Sequence, residues 1–155
     1  MSTSSVTLSN LGTMDETAFV ATVGGVYENS PWVATDTYNA ISKSFESITA
    51  LHAAMANIVN LTSEKKKLEL INAHPDLAGK AALADELTEE SKDEQAKAGL
   101  NTLSMEELEK FTKMNNDYKA KFGFVFILAV RNATKYTILK SFEARLKNTR
   151  MREVR

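Results

Sequence analysis

The sequence predicts an all-α protein: a single domain over residues 1–155, with about seven or eight helices and one buried extended segment near residues 124–130. Three observations point there. Only two prolines and six glycines punctuate 155 residues, so long stretches run without a breaker. Apolar residues recur at spacings of three and four along most of those stretches, the period of a helix face. The one run rich in β-branched and aromatic residues, 124–130, stands alone, and a lone strand has nothing to pair with. A chain of this length corresponds to one domain at ~150 residues per domain, large enough to bury a core without covalent staples.

The elements follow in order. Residues 1–10, rich in Ser and Thr, read as a flexible start and lack the basic and apolar segments of a signal peptide. Thr13, Met14, Asp15 and Glu16 fit a capping box, with Phe19, Val20 and Val23 on one face of the helix that follows. Gly24 and Gly25 weaken its end. Trp32, in Ser30-Pro31-Trp32-Val33, reads as a packing anchor. Ile41, Phe45, Ile48, Leu51, Met55 and Ile58 fall at spacings of 4, 3, 3, 4 and 3, the clearest amphipathic helix in the chain. His52 sits beside that stripe and reads as structural. Thr62 or Ser63 caps a helix carrying Leu68 and Ile71 toward His74 and Pro75. A proline disfavours helical backbone at the residue before it, which predicts a helix end or tight connection at His74.

Residues 76–84 fit a short helix. Thr88 or Glu89 begins a charged helix that Gly99 closes. Ser104, Met105, Glu106 and Glu107 form a second capping box. It opens a helix with Leu108, Phe111, Met114, Tyr118 and Phe122 at spacings of 3, 3, 4 and 4, ended by Gly123. Thr134 opens a last helix with Ile138, Phe142 and Leu146. No repeat, linker or coiled-coil heptad interrupts the chain.

Composition excludes several classes of function. Lys plus Arg is 19 and Asp plus Glu is 20, a net charge of −1, without the basic excess of a general nucleic-acid binder or a polybasic membrane anchor. With no cysteine there is no disulfide, thiolate metal site, iron–sulfur cluster or cysteine nucleophile. The longest strongly apolar stretch, residues 122–130, is too short to span a bilayer as a helix. The expectation is a soluble cytoplasmic protein with neither nucleic acid nor membrane as partner.

No glycine-rich nucleotide loop, HExxH pair or GxSxG elbow occurs, and His52 and His74 lie 22 residues apart, so no metal site is expected. What remains is polar chemistry in two stretches. The first runs Asn72-Ala73-His74-Pro75-Asp76-Leu77-Ala78-Gly79, and the second runs from Ser91 to Leu100. On a helix Ser91, Glu94 and Gln95 share one face, a hydroxyl, a carboxylate and an amide side by side. Facing a histidine, a residue type that exchanges protons near neutral pH, that face would make a polar site able to move a proton. The bland alternative is a turn histidine and a solvated charged helix, and pattern alone stops at a helical domain with one candidate polar site.

Taken together the motifs resemble a known family. His74-Pro75-Asp76-Leu77-Ala78-Gly79, Leu87-Thr88 with Ser91 and Glu94-Gln95, and Ala98-Gly99-Leu100 are similar to the signature of 2-oxo-4-hydroxy-4-carboxy-5-ureidoimidazoline (OHCU) decarboxylases. Ser30-Pro31-Trp32-Val33-Ala34, Asn115 with Tyr118, Lys121-Phe122-Gly123-Phe124, Val130-Arg131 and Arg145-Leu146-Lys147-Asn148 extend the likeness over about residues 8 to 153. The resemblance implies an all-helical homodimer that decarboxylates a small ureide substrate to (S)-allantoin, in uric acid breakdown, without a cofactor. By position it implies a catalytic His74 and an acidic partner Glu94. It implies substrate contacts from Pro75, Ser91 and Gln95, and from a stretch acting through its backbone: Phe126, Ile127, Leu128, Ala129 and Val130. Two departures stand out. Val125 replaces the family's usual proline, and the family pattern continues past Glu153 into a helix with a substrate-contacting arginine, whereas this chain ends at Arg155. They support a competing reading, a helical ureide-binding module that has kept the fold and lost turnover.

Overall fold

Six side chains set where helices begin. Thr7, Asp15, Ser47, Ser63, Ser104 and Thr134 each precede a helix and accept a hydrogen bond from its third N–H. Residues 6–40, 45–78 and 89–154 are described by the computed structural model, with side chains from residue 92 onward in the last stretch. Among the described residues there are nine α-helices and no strand. They are α1 (Leu8–Thr13), α2 (Glu16–Val23), α3 (Trp32–Ala40), α4 (Ile48–Leu61), α5 (Glu64–Asn72), α6 (Glu89–Lys97), α7 (Met105–Phe122), α8 (Lys135–Arg145) and α9 (Arg150–Val154), with a 3₁₀ turn at Gly24–Val26. No described helix is long and apolar enough to cross a membrane. The all-α prediction holds, and α1, α3 and α9 are the helices it did not place. The chain groups into two units, Met1–Ala73 and His74–Arg155.

The first unit holds α1 to α5 around Leu11, Phe19, Val23, Val33, Ala34, Leu51 and Met55. Phe19 is at its centre, with the rings of Tyr38 and Phe45 at 5.5 and 6.0 Å. Several local expectations are corrected here. Thr13 does not cap α2. It closes α1 with its hydroxyl donated to the Asn10 carbonyl, and Asp15 is the cap. The helix expected from Ile41 starts at Ile48, because Ser47 caps it. Phe45 precedes the helix yet still reaches the core, and Ile48 is exposed; Ile41 lies outside the described residues. His52 is exposed on α4, not packed against the core. Ser63, not Thr62, caps α5, whose buried residue is Leu70, with Leu68 and Ile71 half-buried.

The second unit holds α6 to α9 and an aromatic core. Phe111, Tyr118 and Phe122 share one face of α7, Ile138 and Phe142 one face of α8, and Phe124 and Phe126 enter between. Phe126 stacks on Phe142 at 3.7 Å between centroids, and its ring meets Tyr118 edge-on at 5.2 Å. The Ser104–Glu107 capping box forms as expected. Gly123 ends α7 at φ +83°, a left-handed conformation that glycine enters without a Cβ penalty. Residues 125–130, where the sequence predicts a buried extended segment, are neither helix nor strand; Phe126 and Val130 are buried, the others half-buried or exposed. Of the expected helix over residues 76–84, Asp76, Leu77 and Ala78 are not helical, and the rest lies outside the described residues.

Candidate active site

A cleft in the second unit, about 430 Å³ of empty space with its open mouth included, is lined by three walls. His74, Pro75 and Leu77 form one, Glu94 and Gln95 of α6 the second, and Phe126, Ile127, Leu128 and Val130 the third.

The His74 wall is neither helix nor strand, and the bonds that hold it include three to α6 and α7. Asp76 pairs with Lys119 of α7 at 2.6 Å. The Leu77 carbonyl accepts from Asn115 Nδ2 at 2.9 Å, and the Ala78 N–H donates to Gln95 Oε1 at 3.2 Å. Ala78 sits at φ +52°, a region that side chains with a Cβ enter at a cost, so its neighbours impose the path. Asn115 is 2 % exposed, and among the described residues its Oδ1 accepts no hydrogen bond.

The α6 wall is fixed by the way that helix ends. The Leu100 N–H reaches back to the Gln95 carbonyl and the Gly99 N–H to the Ala96 carbonyl, with Gly99 at φ +79°. This is the paired closure that a glycine after a helix predicts, and it anchors the backbone of Gln95. The Gln95 side chain is buried, whereas Glu94 is exposed.

Behind the third wall stands Arg145 of α8. Its Nη1 donates to the Ile127 carbonyl at 2.6 Å, and its guanidinium lies 4.4 Å from the centre of the Phe126 ring. Its Nε donates to Glu153 of α9 at 2.8 Å, and its Nη2 to the Tyr118 hydroxyl at 3.1 Å. Glu153 also accepts from the Tyr118 hydroxyl and from Asn148 Nδ2, and its side chain is 3 % exposed. Burial pushes the Glu153 carboxyl up, but the hydrogen bonds from Arg145, Tyr118 and Asn148 outweigh it and hold the group below the usual carboxylate range. Burial, reinforced by the bond to Glu153, pushes the Tyr118 phenol up to about 12.

The cleft therefore brings together His74, Pro75, Glu94, Gln95, Phe126, Ile127, Leu128 and Val130, eight of the ten residues the sequence singled out. Ala129 is exposed and does not line it, and the Ser91 side chain lies outside the described residues. Leu77 joins the lining unanticipated. Arg145 and Asn115 stood in the sequence only as motif matches, Tyr118 as a motif match and a core position of its helix, and Glu153 carried no functional signal. Among the described residues no three His, Asp or Glu side chains are grouped to hold a metal. An imidazole, a carboxylate and an amide around an apolar floor can bind a flat polar ring and exchange a proton with it.

The family model for OHCU decarboxylase matches residues 12–155. A 2-oxo-4-hydroxy-4-carboxy-5-ureidoimidazoline decarboxylase of Halalkalicoccus jeotgali is 43 % identical over 148 residues, covering 96 % of this chain and 81 % of that protein. Among solved structures, a crystal structure of (S)-allantoin synthase superposes with a TM-score of 0.73 at 38 % identity, covering 96 % of this chain and 47 % of that one. A crystal structure of OHCU decarboxylase in the presence of (S)-allantoin gives 0.64 at 26 % identity, covering 83 % and 81 %.

Proposed function

The chain belongs to the OHCU decarboxylase family, and we propose that its cleft performs the reaction with His74 as proton donor and Glu94 as the group that orients substrate and imidazole. The activity is that of a carboxy-lyase, converting 2-oxo-4-hydroxy-4-carboxy-5-ureidoimidazoline to allantoin in uric acid degradation.

Losing CO₂ leaves an electron pair on carbon. The substrate's own conjugated carbonyl and imine-type groups accept that pair, so the reaction proceeds without a cofactor. The bond from ring carbon to carboxylate breaks, CO₂ leaves, and a proton from His74 arrives on carbon from one face, giving the (S) product. The protein's part is to hold the carboxylate out of the ring plane, keep bulk water from the carbanion and aim the proton. Gln95 and Ser91 hydrogen-bond the ureido and ring amides, and Pro75 packs on the ring. The backbone of Phe126, Ile127, Leu128, Ala129 and Val130 pairs with the ring's polar edge. A helix has few free N–H and C=O groups for this, which accounts for an irregular wall in a helical protein. Ala129, whose side chain lies off the cleft, contributes only through its backbone. The working form is a cytoplasmic homodimer.

The observation that supports this reading is the meeting of His74, Glu94 and Gln95 in one cleft against residues 126–130. The same meeting favours turnover over the binding-only alternative. The test generates the unstable substrate in situ from urate and follows the optical activity of the allantoin. His74→Ala loses about 10²- to 10⁴-fold in turnover with its helical content intact. Wild-type turnover in that variant removes His74 from the mechanism, and racemic product at the uncatalysed rate from the unaltered protein rejects the assignment.

A further inference from the structure

We propose that Arg145, held by Glu153, is a positioning residue for the cleft: it grips the Ile127 carbonyl from behind and so presents the N–H of Leu128 to the substrate ring. The inference rests on the reading of the cleft as the decarboxylation site and adds a residue that does not touch the substrate.

All three nitrogens of the guanidinium are engaged. Nε is bound to Glu153, Nη1 to the Ile127 carbonyl, and Nη2 lies 2.8 Å from Glu153 and 3.1 Å from the Tyr118 hydroxyl. Arg145 is not among the residues lining the cleft. Each of its nitrogens bonds a protein group and the side chain does not line the cleft, which argues for a support rather than a substrate clamp.

The residue it grips does line the cleft. In a trans peptide the C=O and the following N–H point in opposite directions, and no cis peptide occurs among the described residues. With the Ile127 oxygen turned to Arg145, the Leu128 N–H points away from it, and both residues form the cleft wall. A segment with no ladder or helix to fix its peptide planes needs such a hold. A charge-assisted bond at 2.6 Å is among the strongest available.

A guanidinium positions something only if it is itself fixed. The almost fully buried Glu153 carboxylate supplies that, and the Phe126 ring supports the guanidinium from one side. Lysine, with a single compact ammonium, cannot bond Ile127, Glu153 and Tyr118 in the same fork geometry.

The test measures KM and kcat on substrate generated from urate, together with thermal protection by added (S)-allantoin, for Arg145→Lys, Glu153→Gln, Tyr118→Phe and Lys135→Met. A purely structural ion pair changes the melting temperature and leaves KM alone. A positioning pair moves KM in protein that is still folded. For Arg145→Lys the expected result is KM raised about tenfold, the equivalent of one lost hydrogen bond, with kcat changed less than about threefold and protection reduced. Glu153→Gln, which keeps an acceptor but loses the charge, moves KM the same way by a smaller factor. Tyr118→Phe leaves the Arg145–Ile127 bond in place and keeps KM near wild type. Lys135→Met breaks the ion pair to Glu107, away from the cleft, and lowers stability without moving KM.

Should Arg145→Lys prove unfolded by circular dichroism, Glu153→Gln decides on the same readouts. Wild-type KM and wild-type protection in the folded variant overturn the inference while the decarboxylase reading stands. Loss of allantoin protection and of optically active product in the unaltered protein overturns that reading instead.

Discussion

Asn115→Ala separates stability from site geometry, because the side chain it removes is only half satisfied. The amide is buried, with one hydrogen bond from Nδ2 to the Leu77 carbonyl and, among the described residues, no partner for Oδ1. Deleting it orphans the Leu77 carbonyl, which costs about 1–3 kcal/mol, and removes an already orphaned acceptor, which returns about the same. The void is small, roughly 30 Å³, and costs about 0.7 kcal/mol at ~24 cal/mol per Å³. Alanine in a helix interior offsets about 0.5 kcal/mol of that. The net change is within about 1.5 kcal/mol, a shift of a few degrees in melting temperature for a chain of this size. The wall carrying His74 meanwhile loses the Asn115 bond while the Asp76–Lys119 pair and the Ala78–Gln95 bond stay, and a small misplacement of reacting groups costs up to about 10²-fold in rate. Urea denaturation and turnover on the same sample give both numbers. A loss of more than about 3 kcal/mol would refute the reasoning about the orphaned oxygen. Unchanged stability with unchanged kcat/KM would show that the Asn115–Leu77 bond positions nothing.

Two further outcomes follow from local geometry. Gly123→Ala keeps an open site around its new Cβ, since no atom lies within 4 Å, but must hold φ at +83°; it destabilises by about 1–2 kcal/mol from backbone conformation alone, measured by denaturation. Tyr118 and Glu153 set opposite pH limits. The raised phenol gives stability that is complete below its unfolded value near ~10 and is lost as pH rises toward about 12. The depressed Glu153 carboxyl gives stability that is present above its unfolded value near ~4.3 and is lost as pH falls. Unfolding midpoints across pH therefore show a plateau between those arms, and Tyr118→Phe flattens the alkaline one.

Much of this was legible in the sequence where one residue has one local job. Ser104 with Glu107, Gly99 and Gly123 mark helix ends by chemistry that needs no tertiary partner, and all three act as read. Thr13 against Asp15 was not legible that way, since both residue types cap helices and only the fold shows that the Thr13 hydroxyl closes the helix before. Phe45 kept a helical spacing without being helical, because a residue just outside a helix can still turn into the core. In α3, Thr37 occupies a fully buried slot by donating to its own helix at Val33, so a polar letter hides a core position. The cleft was visible through His74, Glu94, Gln95 and residues 126–130. The supports behind it were not, since Asn115 and Arg145 act through main-chain carbonyls distant in sequence and Glu153 through the Arg145 side chain, and no spacing rule encodes such partners.

The short helix that carries Glu153 completes the support of the cleft wall. Until it docks, the Arg145 cation lacks its buried counter-charge and the peptide plane at Ile127 is free to rock. A chain in which α9 is undocked would therefore keep the residues of the cleft and still hold a ureide poorly. On the proposed role of Arg145, ligand affinity reports whether α9 is docked, and product analogues stabilise the docked form.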